Sequence, residues 1–92
     1  MVRVFVLYSE KPPAERYAEH VELSRREVPE ATIRHGRIFG SPAGQPEYAY
    51  YFEYEFADRD AMKRSQDGLM KAAEDAQDVG VPFKVFFADV EG

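Results

Sequence analysis

Tyr48-Ala49-Tyr50-Tyr51-Phe52-Glu53-Tyr54-Glu55-Phe56 alternates without a break, with Tyr48, Tyr50, Phe52, Tyr54 and Phe56 on one face and Ala49, Tyr51, Glu53 and Glu55 on the other. Successive side chains of a strand point to opposite faces, so the spacing predicts a β-strand over 48–56 with one wholly aromatic side. A side that apolar has to be covered, and the flanking sequence supplies the cover. Upstream, Gly40-Ser41-Pro42-Ala43-Gly44-Gln45-Pro46-Glu47 is turn-rich and too short to hold another element. It therefore joins the aromatic strand to an antiparallel neighbour, predicted over 31–39. There Ile33, His35, Arg37 and Phe39 oppose Thr32, Arg34, Gly36 and Ile38, the mixed polarity of an edge strand.

Downstream, Asp58 is an N-cap, and Met62, Gln66, Leu69, Ala73 and Ala76 repeat at helical spacing toward Gly80. Gly68 inside that helix costs roughly 1 kcal/mol relative to alanine, and Ser65 can cap a new start, so a kink or split near Ser65 is expected. After Pro82 a last strand runs from Phe83 to Val90, with Phe83, Val85 and Phe87 opposite Phe86, Ala88 and Val90. At the other end, Val2 to Tyr8 is apolar on both faces, Val2, Val4 and Val6 against Phe5 and Leu7, as a central strand is. Lys11-Pro12-Pro13 interrupts it, and a helix opening at Pro13 and Ala14 carries Tyr17, Val21, Ser24 and Val28 on one stripe before Pro29.

The resulting order is β-α-β-β-α-β in a single domain, residues 1–92. Right-handed crossovers put both helices on one face of an antiparallel sheet, which is the α+β, ferredoxin-like arrangement. If the face bearing Phe56 packs inward, Phe5, Leu7, Tyr51, Phe86 and Ala88 remain on the other. Packing that patch against its copy about a two-fold axis would bury it, so the expected partner is a second copy, a homodimer closing an α+β barrel.

Composition limits function. Seventeen acidic and 12 basic residues leave a net charge of −5, the wrong sign for a phosphate-binding surface, and no basic stretch is interleaved with aromatics. Nucleic acid is not an expected partner on that ground. With no cysteine there is no disulfide, thiolate metal site or thiol nucleophile. No apolar run approaches the roughly 18 residues of a membrane helix, and Met1-Val2-Arg3-Val4 enters a strand pattern without a leader-like segment, so a cytoplasmic location is expected. Six Tyr and seven Phe without Trp predict any pocket to be floored by rings and hydroxyls.

Tyr17 and His20 lie three residues apart on one helical face. His20 as general base or acid, with the Tyr17 hydroxyl orienting a phenolic or carbonyl substrate, is the chemical reading. A histidine bridging core and solvent is the structural one. His35 can enter a pocket from the sheet or stay at the surface. Tyr8, Tyr48 and Tyr50 near one end of the layer, with Phe52 beside them, can supply the polar groups of a small ligand pocket or simply build the core. Glu53 and Glu55 read as matched to a cross-strand Arg3 or Lys84. Two histidines without carboxylates at ligand spacing argue against a dedicated metal site. No Gly-rich phosphate loop, nucleophile elbow or dinucleotide fingerprint is present, and no bound cofactor is expected.

Arg16-Tyr17-Ala18-Glu19-His20-Val21-Glu22-Leu23, Val28-Pro29-Glu30-Ala31 and Gly36-Arg37-Ile38-Phe39-Gly40-Ser41-Pro42 resemble the EthD family of dimeric α+β-barrel proteins. The strand ending Tyr54-Glu55-Phe56 fits the same pattern. Glu22 stands where that family commonly has proline. The resemblance implies the ferredoxin-like dimer and a degradative setting, among related barrels that include cofactor-free monooxygenases, isomerases, cyclases and haem-handling proteins. Three readings follow. The chain binds a small hydrophobic or aromatic metabolite and oxidises or isomerises it; or it is a non-catalytic binding or accessory protein for a partner oxygenase; or its aromatics are only core.

Overall fold

The computed structural model describes residues 1–92 as β1 (Val2–Tyr8), α1 (Ala14–Glu27), β2 (Thr32–Arg37), β3 (Tyr50–Phe56), α2 (Arg59–Arg64), α3 (Gln66–Val79) and β4 (Phe83–Asp89). The sheet is antiparallel in the order β2-β3-β1-β4, the ferredoxin-like α+β topology. Val2, Val4, Val6 and Tyr8 of β1 and Phe52, Tyr54 and Phe56 of β3 are buried beneath the helices. No helix is long and apolar enough to cross a membrane.

Two strands are shorter than their alternation suggests. The aromatic strand begins at Tyr50, leaving Tyr48 in the connector, and β2 closes at Arg37, leaving Phe39 89% exposed. Alternation alone does not mark where a ladder ends. Here it ends just past Ile38, whose N–H donates to the carbonyl of Ala49, because the chain then departs for its turn. The last strand is apolar on both faces like β1, yet it is an edge, and Val85, Phe86 and Phe87 are 43, 49 and 70% exposed.

The second helical region splits at Ser65, where φ −92° and ψ 5° end α2. Asp58 caps α2 as expected, accepting the Ala61 N–H at 2.8 Å. Ser65 does not cap α3. Its buried hydroxyl instead donates back to the Ala61 carbonyl at 2.9 Å, the nearest acceptor in an apolar surround. The buried stripe falls one position before the expected Met62, Gln66, Leu69 and Ala73 and rejoins it at Ala76. Ala61, Ser65, Gly68, Ala72, Ala76 and Val79 face the interior, and at Gly68 the end of α1 approaches α3 so closely that no side chain fits. Gly80, at φ 86°, ends α3 in the left-handed conformation that glycine adopts without strain.

Candidate functional site

The inward stripe of α1 is Tyr17, His20 and Ser24, continued by Val28 at its C-cap, with Val21 only half-buried. Two polar side chains therefore sit in the core, His20 at 2% exposure and Ser24 at 0%. Buried polar groups require partners. Ser24 Oγ receives the Tyr54 hydroxyl at 3.3 Å. His20 Nδ1 lies 2.9 Å from Asp75 Oδ2, on the facing side of α3.

Asp75 is itself fixed from above. Arg16, one helical turn before His20, donates to Asp75 Oδ1 at 2.6 Å, to Oδ2 at 3.3 Å and to the backbone carbonyl at 3.2 Å, with a further contact to Asp78 at 3.2 Å. The Arg16 guanidinium holds the Asp75 carboxyl below the usual carboxylate range, outweighing partial burial. Asp75 is thus an ionised acceptor, and the hydrogen between it and His20 belongs to Nδ1. Burial lowers the proton affinity of His20, the hydrogen bond to Asp75 opposing it. At neutral pH the imidazole is therefore neutral, with Nδ1 protonated and Nε2 bearing the free lone pair. Nε2 makes no hydrogen bond within the chain.

His20 lines a cavity of about 300 Å³ between α3 and the β1–β4 half of the sheet. Val4, Val6, Phe83, Val85 and Phe87 form its sheet wall, and Leu69, Ala73 and Ala76 belong to its helical wall. Its only polar lining side chains are His20, Tyr54 and Gln66. The row Gln66-Leu69-Ala73, read in the sequence as core stripe, is this wall. The cavity's sheet wall includes β4, an edge strand of this sheet.

The other residues singled out in the sequence lie off the cavity. Tyr17 neighbours His20 with ring centroids 6.4 Å apart, but its hydroxyl donates to the Tyr51 carbonyl at 3.5 Å. Its ring is held edge-on by Tyr8, His35, Tyr50 and Phe52. Phe52 is fully buried and packs on His20 at 5.3 Å. His35 is exposed on the edge strand, its ring stacked on Phe52 at 5.8 Å. Tyr48 and Tyr50 are half-buried near the connector. Tyr8 is fully buried one layer behind the cavity wall. Glu55 pairs with Arg3 at 3.0 Å on the open sheet face, and Glu53 lies 3.8 Å from Arg34.

Arg16, Asp75 and Tyr54 were not legible as site residues. Asp75 lies among alanines in Ala72-Ala73-Glu74-Asp75-Ala76, and the only signal for it is an acidic side chain flanking a small-residue stripe. Its meeting with His20 depends on how α1 and α3 pack.

No protein-family model and no curated protein matches the chain. Solved structures do match in fold. An EthD family protein from Bacillus halodurans superposes with a TM-score of 0.77 at 20% identity, over 99% of each chain. A dimeric ferredoxin-like protein of unknown function from Thermobifida fusca gives 0.62 at 13% identity, over 97% of this chain and 90% of that one. A cofactor-independent oxygenase from Streptomyces nogalater gives 0.60 at 17% identity, over 99% and 92%. The ferredoxin-like fold read from the sequence is the fold these structures share, and the EthD resemblance, carried by the first helix, the segments around Pro29 and Gly40 and the aromatic strand, has a structural counterpart among them.

Proposed function

We propose that the chain binds a small, largely apolar carbonyl or phenolic compound in the cavity and that His20 is its general base. The observation carrying this reading is the free Nε2 of a neutral imidazole, oriented by an ionised carboxylate, on the wall of an apolar cavity. About 300 Å³ is the lower end of ligand-site sizes and suits a single-ring compound. Nε2 takes a proton from the carbon next to a carbonyl; the C–H electron pair becomes a C=C bond and the carbonyl π pair moves to oxygen. Asp75 stabilises the imidazolium formed. Return of the proton to a second carbon isomerises the compound, and addition of dioxygen to the same carbanion begins an oxidation that needs no bound cofactor. The cofactor-independent oxygenase sharing the fold supports the second course as an analogy.

The test is proton exchange. Acetophenone incubated with the protein in D2O should incorporate deuterium into its methyl group faster than in buffer, and His20→Ala should return the rate to that of buffer. If neither acetophenone nor a panel of aryl ketones and phenols binds or exchanges, the reading falls. Binding without exchange would leave a non-catalytic binding protein. That reading has its own support, because Tyr54 is committed to Ser24 and no cationic side chain lines the cavity to receive negative charge on a substrate oxygen.

A homodimer belongs to the same proposal. Phe5, Leu7, Tyr51, Phe86 and Ala88 make a largely apolar patch on the face of the sheet away from the helices, with Glu53 beside Phe5, Lys84 beside Leu7 and the Arg3–Glu55 pair at its border. A second copy turned by a two-fold axis presents the same patch and covers it. The dimeric protein from Thermobifida fusca, alike in fold, supports this. Light scattering should give twice the 10.6 kDa chain mass at micromolar concentration, and Phe5→Lys should give the single mass. A monomer in the parent protein would overturn the assembly.

A further inference from the structure

Tyr8 is fully buried, and its hydroxyl is the one side-chain polar atom both sealed from solvent and without a hydrogen-bond partner. An orphaned buried hydroxyl costs free energy, so a native fold that keeps one needs an account of it. Position supplies the account. Tyr8 follows Val4 and Val6 on the same face of β1 and pairs with Phe83 across the β1–β4 seam; those three residues are cavity wall. Its ring packs on Phe83 at 5.8 Å and on Tyr17 at 5.9 Å, and Tyr17 in turn neighbours His20. Phe83 is half-buried on an edge strand, the cavity-wall residue whose ring stands against Tyr8.

We propose that Tyr8 is the oxygen-binding residue behind the cavity wall: a ligand whose carbonyl or hydroxyl oxygen displaces the Phe83 ring accepts the Tyr8 O–H. This deepens the function proposed above and rests on it, because it selects ligands with one hydrogen-bond-accepting oxygen at the buried end of an apolar body. In the enolisation described, the C–H pair moves toward that oxygen while Nε2 takes the proton, and the Tyr8 hydroxyl donates to the oxygen as its charge develops. Burial foremost, with Tyr54 and the Asp75 carboxylate adding, raises the proton affinity of Tyr8, so it stays protonated and remains a donor across the working pH range.

The experiment compares acetophenone with isopropylbenzene, nearly the same shape without the oxygen, by calorimetric binding to the parent protein and to Tyr8→Phe. The parent should prefer acetophenone, and Tyr8→Phe should weaken acetophenone binding about ten-fold while leaving isopropylbenzene unchanged, as expected for one lost hydrogen bond. Tyr8→Phe should also raise the melting temperature of the free protein, since the orphaned hydroxyl is gone. Equal weakening of both probes, or no change in either, overturns the assignment of Tyr8 while leaving the cavity. Failure of both probes to bind the parent overturns the cavity reading, and this inference with it.

Discussion

Gly68→Ala should lower the melting temperature by about 10–20 °C, although it replaces the poorest ordinary helix former with the best. On propensity alone the change adds about 1 kcal/mol to a helix interior. Packing reverses the sign. A Cβ at Gly68 would fall inside the contact distance of the Glu27 carbonyl oxygen, 2.8 Å from its carbon and 3.4 Å from Val28 Cγ2. The oxygen belongs to the last turn of α1, and backbone cannot swing aside as a flexible side chain can. The helices would have to separate, and with them Ala72 and Ala76 from the core. Overpacking of this kind costs about 1–3 kcal/mol or more, which in a domain of this size moves the melting point about 4–8 °C per kcal/mol. Gly40→Ala, with nothing within 4 Å of its Cβ, is the control and should change little. Calorimetric melts of both variants decide it. An unchanged or higher melting point for Gly68→Ala would mean that the α1–α3 approach is not as close as described.

Asp75→Asn should slow deuterium exchange into acetophenone by about 100-fold or more, the scale of a lost general base. An amide in place of the carboxylate can donate its N–H to Nδ1, which moves the imidazole proton to Nε2 and removes the lone pair from the cavity. The variant also deprives Arg16 of its partner, so a stability loss accompanies the rate loss. The pH profile separates the two. Burial holds His20 below its ordinary value of 6.5, so the parent protein should already be fully active at neutral pH and lose activity as acid protonates Nε2. Stability follows with the same sign. Between the lowered folded value and the unfolded one, the unfolded chain carries the extra proton, so the contribution is complete above about pH 6.5 and is lost as pH falls. Asp75→Asn should flatten the rate profile at a low level, whereas a merely destabilised enzyme would keep the parent profile at reduced yield. A parent-like rate would remove Asp75 from the mechanism.

The contrast between these two residues shows what the sequence holds. Element order, the aromatic face of β3 and the Asp58 cap are local patterns, and periodicity reports them directly. Gly68 is visible as a glycine in a helix, but its reason for being there is a carbonyl about forty residues away in the chain. The candidate base was legible because Tyr17 and His20 share a helical turn; the carboxylate that orients it was not, because Asp75 reaches His20 only through tertiary packing. The cavity wall was not legible for a related reason. Gly68-Ala72 and Leu69-Ala73 are adjacent rows on α3, and only the closeness of α1 decides which of them is packed and which is left open to the cavity.

The place of β1 in the sheet bears on how the chain finds its shape. Val2 stands opposite both Phe56 and Asp89, and the Val90 N–H closes on the Met1 carbonyl, so the first strand is flanked by the third and the last. Only β2 and β3 pair with a neighbour in sequence. Every other seam requires long loops to be closed before any ladder repays the entropy spent, and the aromatic face of β3 has no β1 to lie beside until the middle of the chain has been threaded past it. Such wiring makes folding slow for so short a chain and all-or-none in character, with the two outermost stretches of sequence pairing to complete one half of the sheet.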